Sequence, residues 1–316
     1  MIGGSMSFPL AVAPSGMQCM AHPEGEKATA RAAARARVFM GVSTFATTSL
    51  EDVKGAGDEV RNNVYMLQLY IFKNRKTTID LVKRAERAGY KAVMLTCDTP
   101  KLGNRYNMSR NDFKLPHHLS LPNFGKDKVR PLIQHVVKDD ESSLGDSNVN
   151  DDSITWDKDL MWLRSITQMD IWLKGITTAE DVELAIQSPA NVTGIIVSNH
   201  GGRQLECAMA ALDSLPECVN AAGGLQNKKL QVWIDGGIRK GSDIFKALAL
   251  GADGVMVGRV PLWGLSVGGE EGVFKALSIL QAEFRHTMAL AGCQTLEDIT
   301  PSHLSRLIEG GIYAKL

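Results

Sequence analysis

The sequence predicts a (β/α)8 TIM barrel, an α/β fold in which eight parallel strands alternate with helices. Three observations predict it. Eight short apolar runs recur with helix-period segments between them, and the ends of those runs carry the chain's unusual polar residues. No Gly-x-Gly-x-x-Gly follows an early run, which speaks against a nicotinamide-binding doubly wound sheet.

The runs are Pro9–Ala13, Val38–Val42, Val64–Leu69, Ala92–Leu95, Ile171–Leu173, Gly194–Val197, Gln231–Ile234 and Gly254–Val257. Each is too short for a helix and apolar but for Gln68 and Gln231, as suits a strand buried on both faces. Between them, Thr48-x-x-Glu51 and Thr177-x-x-Glu180 read as capping boxes that start helices. Ala88-Gly89-Tyr90 and Leu250-Gly251-Ala252 read as glycine stops just before the next strand. The segment from about Tyr106 to Ser153 breaks this rhythm after the fourth strand. Its polar stretch Lys138–Asp152 has too little apolar surface to order itself, so a long mobile loop over the barrel mouth is expected, with His117 and His118 as solvated loop residues. After the eighth run, Glu270–Gly292 and Thr295–Ile308 read as a helical tail, and residues 1–316 are expected to form one domain.

At 316 residues, 44% hydrophobic and 22% charged, the chain has the composition of a globular protein with a sizeable core. Lysine plus arginine balances aspartate plus glutamate at 35 each, so net charge implies neither nucleic acid nor an anionic membrane surface as partner. Cys19, Cys97, Cys207, Cys218 and Cys293 are odd in number and lack metal-type spacing; the expectation is free thiols in a reducing compartment and no metal site. No run approaches the roughly 18 apolar residues of a membrane span and no signal-peptide pattern opens the chain, so a soluble, intracellular protein is expected. Ala314-Lys315-Leu316 resembles a Ser-Lys-Leu type of peroxisomal address, with the cytoplasm as the alternative.

In barrels of this kind the reacting groups lie at the C-terminal ends of the strands. Run one ends in Pro14-Ser15-Gly16-Met17, run two in Ser43, run three in Gln68 and Tyr70, run four in Thr96 and Asp98, and run five in Lys174. Run six ends in Ser198-Asn199-His200-Gly201-Gly202-Arg203. Histidine is the side chain that exchanges protons near neutral pH, and Arg203 can grip a carboxylate through two parallel hydrogen bonds. After runs seven and eight, Asp235-Gly236-Gly237-Ile238-Arg239 and Gly258-Arg259 offer free backbone N–H groups and two guanidiniums, a cradle for a phosphorylated ligand. Lys174 is either a cation held against an anionic group or a Schiff-base amine, the second making the chain an aldolase acting on a phosphosugar.

Taken together, Ala13–Gln18, Met20–Glu26, Gln68–Tyr70, Thr96–Arg105, Leu173–Gly175, Ser198–Arg203, Asp235–Arg239 and Gly258-Arg259 resemble the signatures of the FMN-dependent 2-hydroxy-acid oxidase and dehydrogenase family over nearly the whole chain. That family includes glycolate oxidase, L-lactate oxidase and the flavin domain of flavocytochrome b2. The resemblance implies FMN-dependent oxidation of an L-2-hydroxy acid (glycolate, lactate or a longer one) to the 2-oxo acid, with electrons passed to O2 or another acceptor. It implies that Ser15, Gly16, Ser43, Gln68 and Thr96 hold the isoalloxazine ring and that Lys174 sits at its N1/O2 edge. Ser198 joins the cofactor-binding residues, and Asp235, Gly236, Gly237, Arg239, Gly258 and Arg259 are implied to bind the ribityl chain and phosphate. For the substrate, it implies a carboxylate clamp of Arg105 and Arg203, a hydrogen bond from Tyr70 near the reacting hydroxyl, and His200 as base with Asp98 stabilising its imidazolium.

His22 lies in one of these signatures but, followed by Pro23 and Glu24, reads as part of a helix-start device. Two departures stand out. Family members carry a helical segment ahead of the first strand that contributes a substrate-binding tyrosine, whereas this chain starts a few residues before Pro9; altered activity or lower stability is expected. Phe45 stands where members acting on small substrates often have a tryptophan, which implies a pocket of different size. A homotetramer is the implied assembly. The rival readings are an FMN-binding protein with little turnover and the Schiff-base aldolase using Lys174.

Overall fold

The computed structural model describes residues 6–111, 113–124, 150–307 and 313–315. The barrel strands are β1 (Leu10–Val12), β2 (Phe39–Val42), β3 (Tyr65–Leu69), β4 (Ala92–Thr96), β5 (Asp170–Ile176), β6 (Val192–Val197), β7 (Gln231–Asp235) and β8 (Gly254–Val257), one for each predicted run. Neighbours in chain order pair in parallel, and β8 pairs with β1 at Leu10↔Val255, Ala11↔Met256 and Val12↔Val257, which closes the barrel.

Along each strand the side chains alternate between two cores. Phe39, Met66, Met94, Trp172, Trp233 and Met256 belong to a cluster inside the barrel, while Met40, Leu67, Val93, Leu173 and Val255 pack outward in the larger core shared with the helices. Trp172 and Trp233 meet edge to face with centroids 5.4 Å apart. Glycine makes room for them, since a Cβ at Gly194 or Gly254 would come within 2.6 Å of the Trp172 or Trp233 ring respectively.

The helices are α1 (Gly25–Ala36), α2 (Leu50–Asp58), α3 (Arg75–Ala88), α4 (Tyr106–Arg110), α5 (Trp156–Ile166), α6 (Ala179–Gln187), α7 (Ala211–Ala221), α8 (Gly241–Ala249) and α9 (Arg259–Leu290). Gly89 at φ 86° ends α3 and Gly251 at φ 99° follows α8, both in the left-handed region that glycine adopts without penalty. Both predicted capping boxes are displaced by one residue. Ser49, not Thr48, caps α2 by accepting from the Asp52 amide, and Thr178, not Thr177, caps α6 by accepting from the Asp181 amide. Thr48 has a stronger partner, because its hydroxyl donates at 2.9 Å to Glu26, a buried carboxylate.

The C-terminal reading needs a larger correction. α9 starts directly after β8 and runs through a kink at Gly268 and Gly269, so the region 270–290 is its second half. Thr295–Ile308, expected as helix, is not helical over its described residues. Pro301–His303 form one 3-10 turn and Ser305–Leu307 form β9, antiparallel to β10 (Tyr313–Lys315). Pro301 is the physical reason: it removes an N–H from any helix begun at Thr295 and biases Thr300 towards extended backbone, where it is found.

Within the loop expected from about Tyr106 to Ser153, the segment 125–149 lies outside the described residues, which resume at Asn150. On its near side stand α4 and the 3-10 turn Pro122–Phe124; on its far side Asn150 bridges to Phe72. His117 and His118 are exposed, and all five cysteines are free thiols. Among the described residues no helix is long and apolar enough to cross a membrane, and no group of three or more His, Cys, Asp or Glu is arranged to hold a metal.

Candidate active site

Parallel strands put all their C-terminal ends on one mouth of the barrel, and the polar residues predicted there converge on it. Lys174 stands opposite Thr96 in the β4–β5 register. Its Nζ lies 2.9 Å from Asp235 Oδ2 at the end of β7 and donates to Ser198 Oγ at 2.9 Å. All three side chains are buried. Burial opposes a charged amine, but the negative charges of Asp235 and Asp98 outweigh it and raise the Lys174 pKa. A Schiff-base nucleophile needs a neutral amine, so the aldolase reading loses its chemical basis.

Ser198 Oγ also accepts the His200 amide at 3.0 Å, tying the buried cation to the histidine loop. His200 has φ 59°, a left-handed conformation uncommon outside glycine, and Gly201 and Gly202 follow at 68° and 74°. The turn brings the imidazole to Asp98, with Nδ1 2.8 Å from Oδ1. The Thr99 hydroxyl donates to the same oxygen at 2.8 Å. Burial lifts the Asp98 carboxyl, yet the hydrogen bond and charge of His200 prevail and hold it below its ordinary value. With Nδ1 engaged, Nε2 is the ring nitrogen left to exchange a proton.

Tyr70, just past β3, is raised in pKa, first by burial and then by the Asp98 charge, and so stays a neutral phenol. Its ring meets Phe45 edge-on with centroids 6.0 Å apart, and Phe45 packs on Phe124 at 5.1 Å. Phe124 comes from the excursion after β4 and is anchored by the buried Asn123 beside it. That amide donates to the Thr44 carbonyl at 3.1 Å and accepts from the Leu50 amide at 3.0 Å.

Arg105 and Arg203 are close enough to repel one another, and among the described residues neither forms an ion pair, although Arg203 also feels the Asp98 charge. Arg105 Nε is buried without a hydrogen-bond partner, and the guanidinium is pushed down to about 10, first by burial and then by the Arg203 charge. Two neighbouring cations that form no ion pair among the described residues suit a site whose anion arrives with the ligand.

The remaining predicted residues are divided between local roles and open positions. Gln68 is held at both ends, accepting from the Thr44 amide at 3.1 Å and donating to Thr96 Oγ1 at 3.0 Å. Ser43 Oγ accepts the Phe45 amide at 3.1 Å, Ser15 donates to the Ala13 carbonyl at 3.4 Å, and Gly16 is exposed beside Phe45. Gly236 and Gly237 take φ 93° and 77°, and a Cβ at Gly237 would meet nothing within 4 Å. Arg239 is exposed ahead of α8, and Arg259, after Gly258, donates to the Gly201 carbonyl at 2.7 Å. Asp235 Oδ2 pairs with Lys174, while Oδ1 is buried and without a hydrogen-bond partner among the described residues. His22 accepts the Glu24 amide at 3.3 Å, in keeping with a helix start.

Sequence reasoning missed Thr99, Gly175 and Gln204. The first two lie inside quoted signatures, and Gln204 directly follows one, so adjacency was the available signal.

A family description, FMN-dependent dehydrogenase, matches residues 1–306. The chain is 46% identical over 306 residues to glycolate oxidase 1 of Oryza sativa subsp. indica and 46% identical over 307 residues to glycolate oxidase of Spinacia oleracea; each match covers 96% of this chain and 79% of the relative. Among solved structures, mandelate oxidase with (S)-2-phenylpropionate matches with a TM-score of 0.79 at 37% identity, covering 94% of this chain and 78% of that one. A mandelate oxidase mutant with the C4a-OH-FMN adduct matches with a TM-score of 0.79 at 37% identity, over 94% of this chain and 79% of that one. The chain thus belongs to the FMN-dependent dehydrogenase family, as an enzyme that oxidises 2-hydroxy acids with FMN as its cofactor.

Proposed function

We propose that the substrate is a small L-2-hydroxy acid, glycolate first and L-lactate or a longer acid next, and that the electrons pass to O2. The observation that carries this reading is the His200–Asp98 pair, 2.8 Å apart, in the same mouth as two neighbouring guanidiniums that form no ion pair among the described residues. The oxidase relatives support oxygen as the acceptor.

The donor set fits FMN. Asp235 Oδ1, buried and unpartnered, suits a ribityl hydroxyl, and the left-handed Gly236 and Gly237 leave backbone open beside it. Arg239 and Arg259, with Gly258 at the start of α9, offer charge for the phosphate. Ser15, Gly16, Ser43, Gln68, Thr96, Lys174 and Ser198 would hold the ring. When bound, FMN supplies the two-electron acceptor.

Arg105 and Arg203 pair with the substrate carboxylate, which relieves their mutual repulsion and fixes the molecule's orientation. His200 takes a proton at Nε2, and Asp98, already bonded to Nδ1, offsets the positive charge that results. Thr99 keeps that carboxylate in place. Tyr70, neutral, donates to a substrate oxygen near the reacting hydroxyl. Lys174, held charged between Asp235 and Ser198, provides a fixed cation where negative charge develops. Phe45 and Phe124 wall the end of the pocket that receives the substrate side chain.

The same reading takes residues 1–316 as one catalytic domain that assembles as a homotetramer, which sedimentation would test. It takes Ala314-Lys315-Leu316 as a peroxisomal address; because Ala314 and Lys315 pair with Arg306 and Ser305, the tail must leave β9 to be read. Deleting the tripeptide from a tagged protein should then disperse it through the cytoplasm.

The central test is spectroscopic. FMN-loaded protein given glycolate, L-lactate and a longer 2-hydroxy acid without oxygen should lose its flavin band with at least one of them, and oxygen should restore it. Folded, FMN-loaded protein that keeps its band with all three overturns the substrate class.

A further inference from the structure

We propose that Gln204 is a positioning residue for the carboxylate clamp: its side-chain amide locks the loop after β4 onto the loop after β6 and so sets how Arg105 and Arg203 face each other. This rests on the reading that those two arginines hold the substrate carboxylate.

In the loop leaving β4, the Asp98 and Lys101 carbonyls and the Gly103 amide make no backbone-to-backbone hydrogen bond among the described residues. Polar backbone in such a segment needs partners from elsewhere. Gln204 supplies three. Its Oε1 accepts from the Gly103 amide at 3.0 Å, and its Nε2 donates to the carbonyls of Asp98 at 3.1 Å and Lys101 at 2.9 Å. The two loops also touch directly, since a Cβ at Gly103 would lie 2.5 Å from the Arg203 carbonyl oxygen and 2.7 Å from Gln204 Cα.

The connectivity gives these bonds their meaning. Gln204 directly follows Arg203, Gly103 stands two residues before Arg105, and Asp98 is the partner of His200. One amide therefore bridges the two segments that carry Asp98, Arg105, His200 and Arg203. The Gln204 bridge joins these loops without adding charge beside the two guanidiniums, which lie close enough to repel one another. A glutamine suits the place because it accepts and donates at once while staying neutral.

The test compares FMN-loaded wild type with Q204M, Q204E and R203A. Q204M keeps the length of the side chain and removes all three bonds; Q204E keeps the Gly103 acceptor and sets an oxygen against two carbonyls. Both should raise KM and the Kd of oxalate, a carboxylate ligand, about tenfold or more, with a smaller fall in kcat and unchanged FMN affinity. Amide hydrogen exchange across residues 98–105 should quicken in Q204M and remain slower in Q204E. Wild-type KM, oxalate affinity and exchange in both Gln204 variants overturn the proposal. R203A separates it from the reading beneath it: oxalate binding lost in R203A but intact in both Gln204 variants sinks the positioning role alone, whereas oxalate binding intact in R203A sinks the clamp itself.

Discussion

Gly175 and Asp98 compete for one space. Gly175 takes φ 99° at the irregularity between Lys174 and Ile176, and a Cβ there would come within 2.6 Å of Asp98 Cβ and 2.8 Å of its amide nitrogen. The missing side chain on β5 lets the loop from β4 pass close enough to aim its carboxylate at His200. Gly175→Ala should therefore cost about 1–3 kcal/mol of stability through left-handed strain and lower kcat/KM roughly 10–100-fold by displacing Asp98. Thermal melts and steady-state kinetics on one preparation check both effects.

Asp98→Asn removes the charge that offsets protonated His200, and kcat/KM should fall by about 10²–10⁴ while FMN stays bound. A pH dependence goes with it. The folded pKa of Asp98 is depressed, so its contribution to stability is fully present above the unfolded value of about 4 and is lost as pH falls through the lower folded value. Urea midpoints of wild type and Asp98→Asn should accordingly differ at about pH 6 and draw together at about pH 2–3.

For Arg105 the sign is reversed. A cation whose pKa is pushed down to about 10 is one whose charge the folded state disfavours, so ligand-free stability is held down below that pH and recovers as pH rises through it. Arg105→Met should raise the stability of the ligand-free protein by ~0.5–2 kcal/mol, a range that allows for solvent screening, while abolishing stabilisation by oxalate. Melting curves at neutral pH with and without oxalate decide the matter.

Lys174→Met leaves Asp235 buried and unpaired, which should cost about 3–5 kcal/mol. Adding Asp235→Leu should recover much of that loss, because the penalty lies in the stranded charge. Urea unfolding of the two single variants and the double variant gives the coupling directly.

Phe45 packs against Tyr70 and Phe124, and in the proposed reading its ring walls the space for the substrate side chain. Phe45→Ala should raise the preference for a longer 2-hydroxy acid over glycolate by about tenfold, read as the ratio of the two kcat/KM values.

Much of this was legible in the residues themselves. Strands buried on both faces are predominantly apolar, so the eight runs marked all eight barrel strands, and glycines 89 and 251 marked helix ends because few other residues take their φ. The failures had identifiable competitors. Thr48 lost its capping role to the buried Glu26 carboxylate at the start of α1, and Pro301 broke the tail that a helical pattern suggested. Gln204 and Gly175 passed unnoticed because their partners are remote in the chain: Gln204 and Asp98 are 106 residues apart.

Residue type and local order by themselves determined which groups could carry charge, exchange a proton or turn left-handed, because propensity, capping and glycine's freedom act over a few residues. That placed His200, Lys174 and the arginines at strand ends. Which of them meet was decided only by closure of the barrel. The register of eight strands brings the ends of β4, β5, β6 and β7 to one mouth, so that Asp235 pairs with Lys174, Asp98 finds His200 across Gly175, and Arg105 and Arg203 come close enough to repel one another.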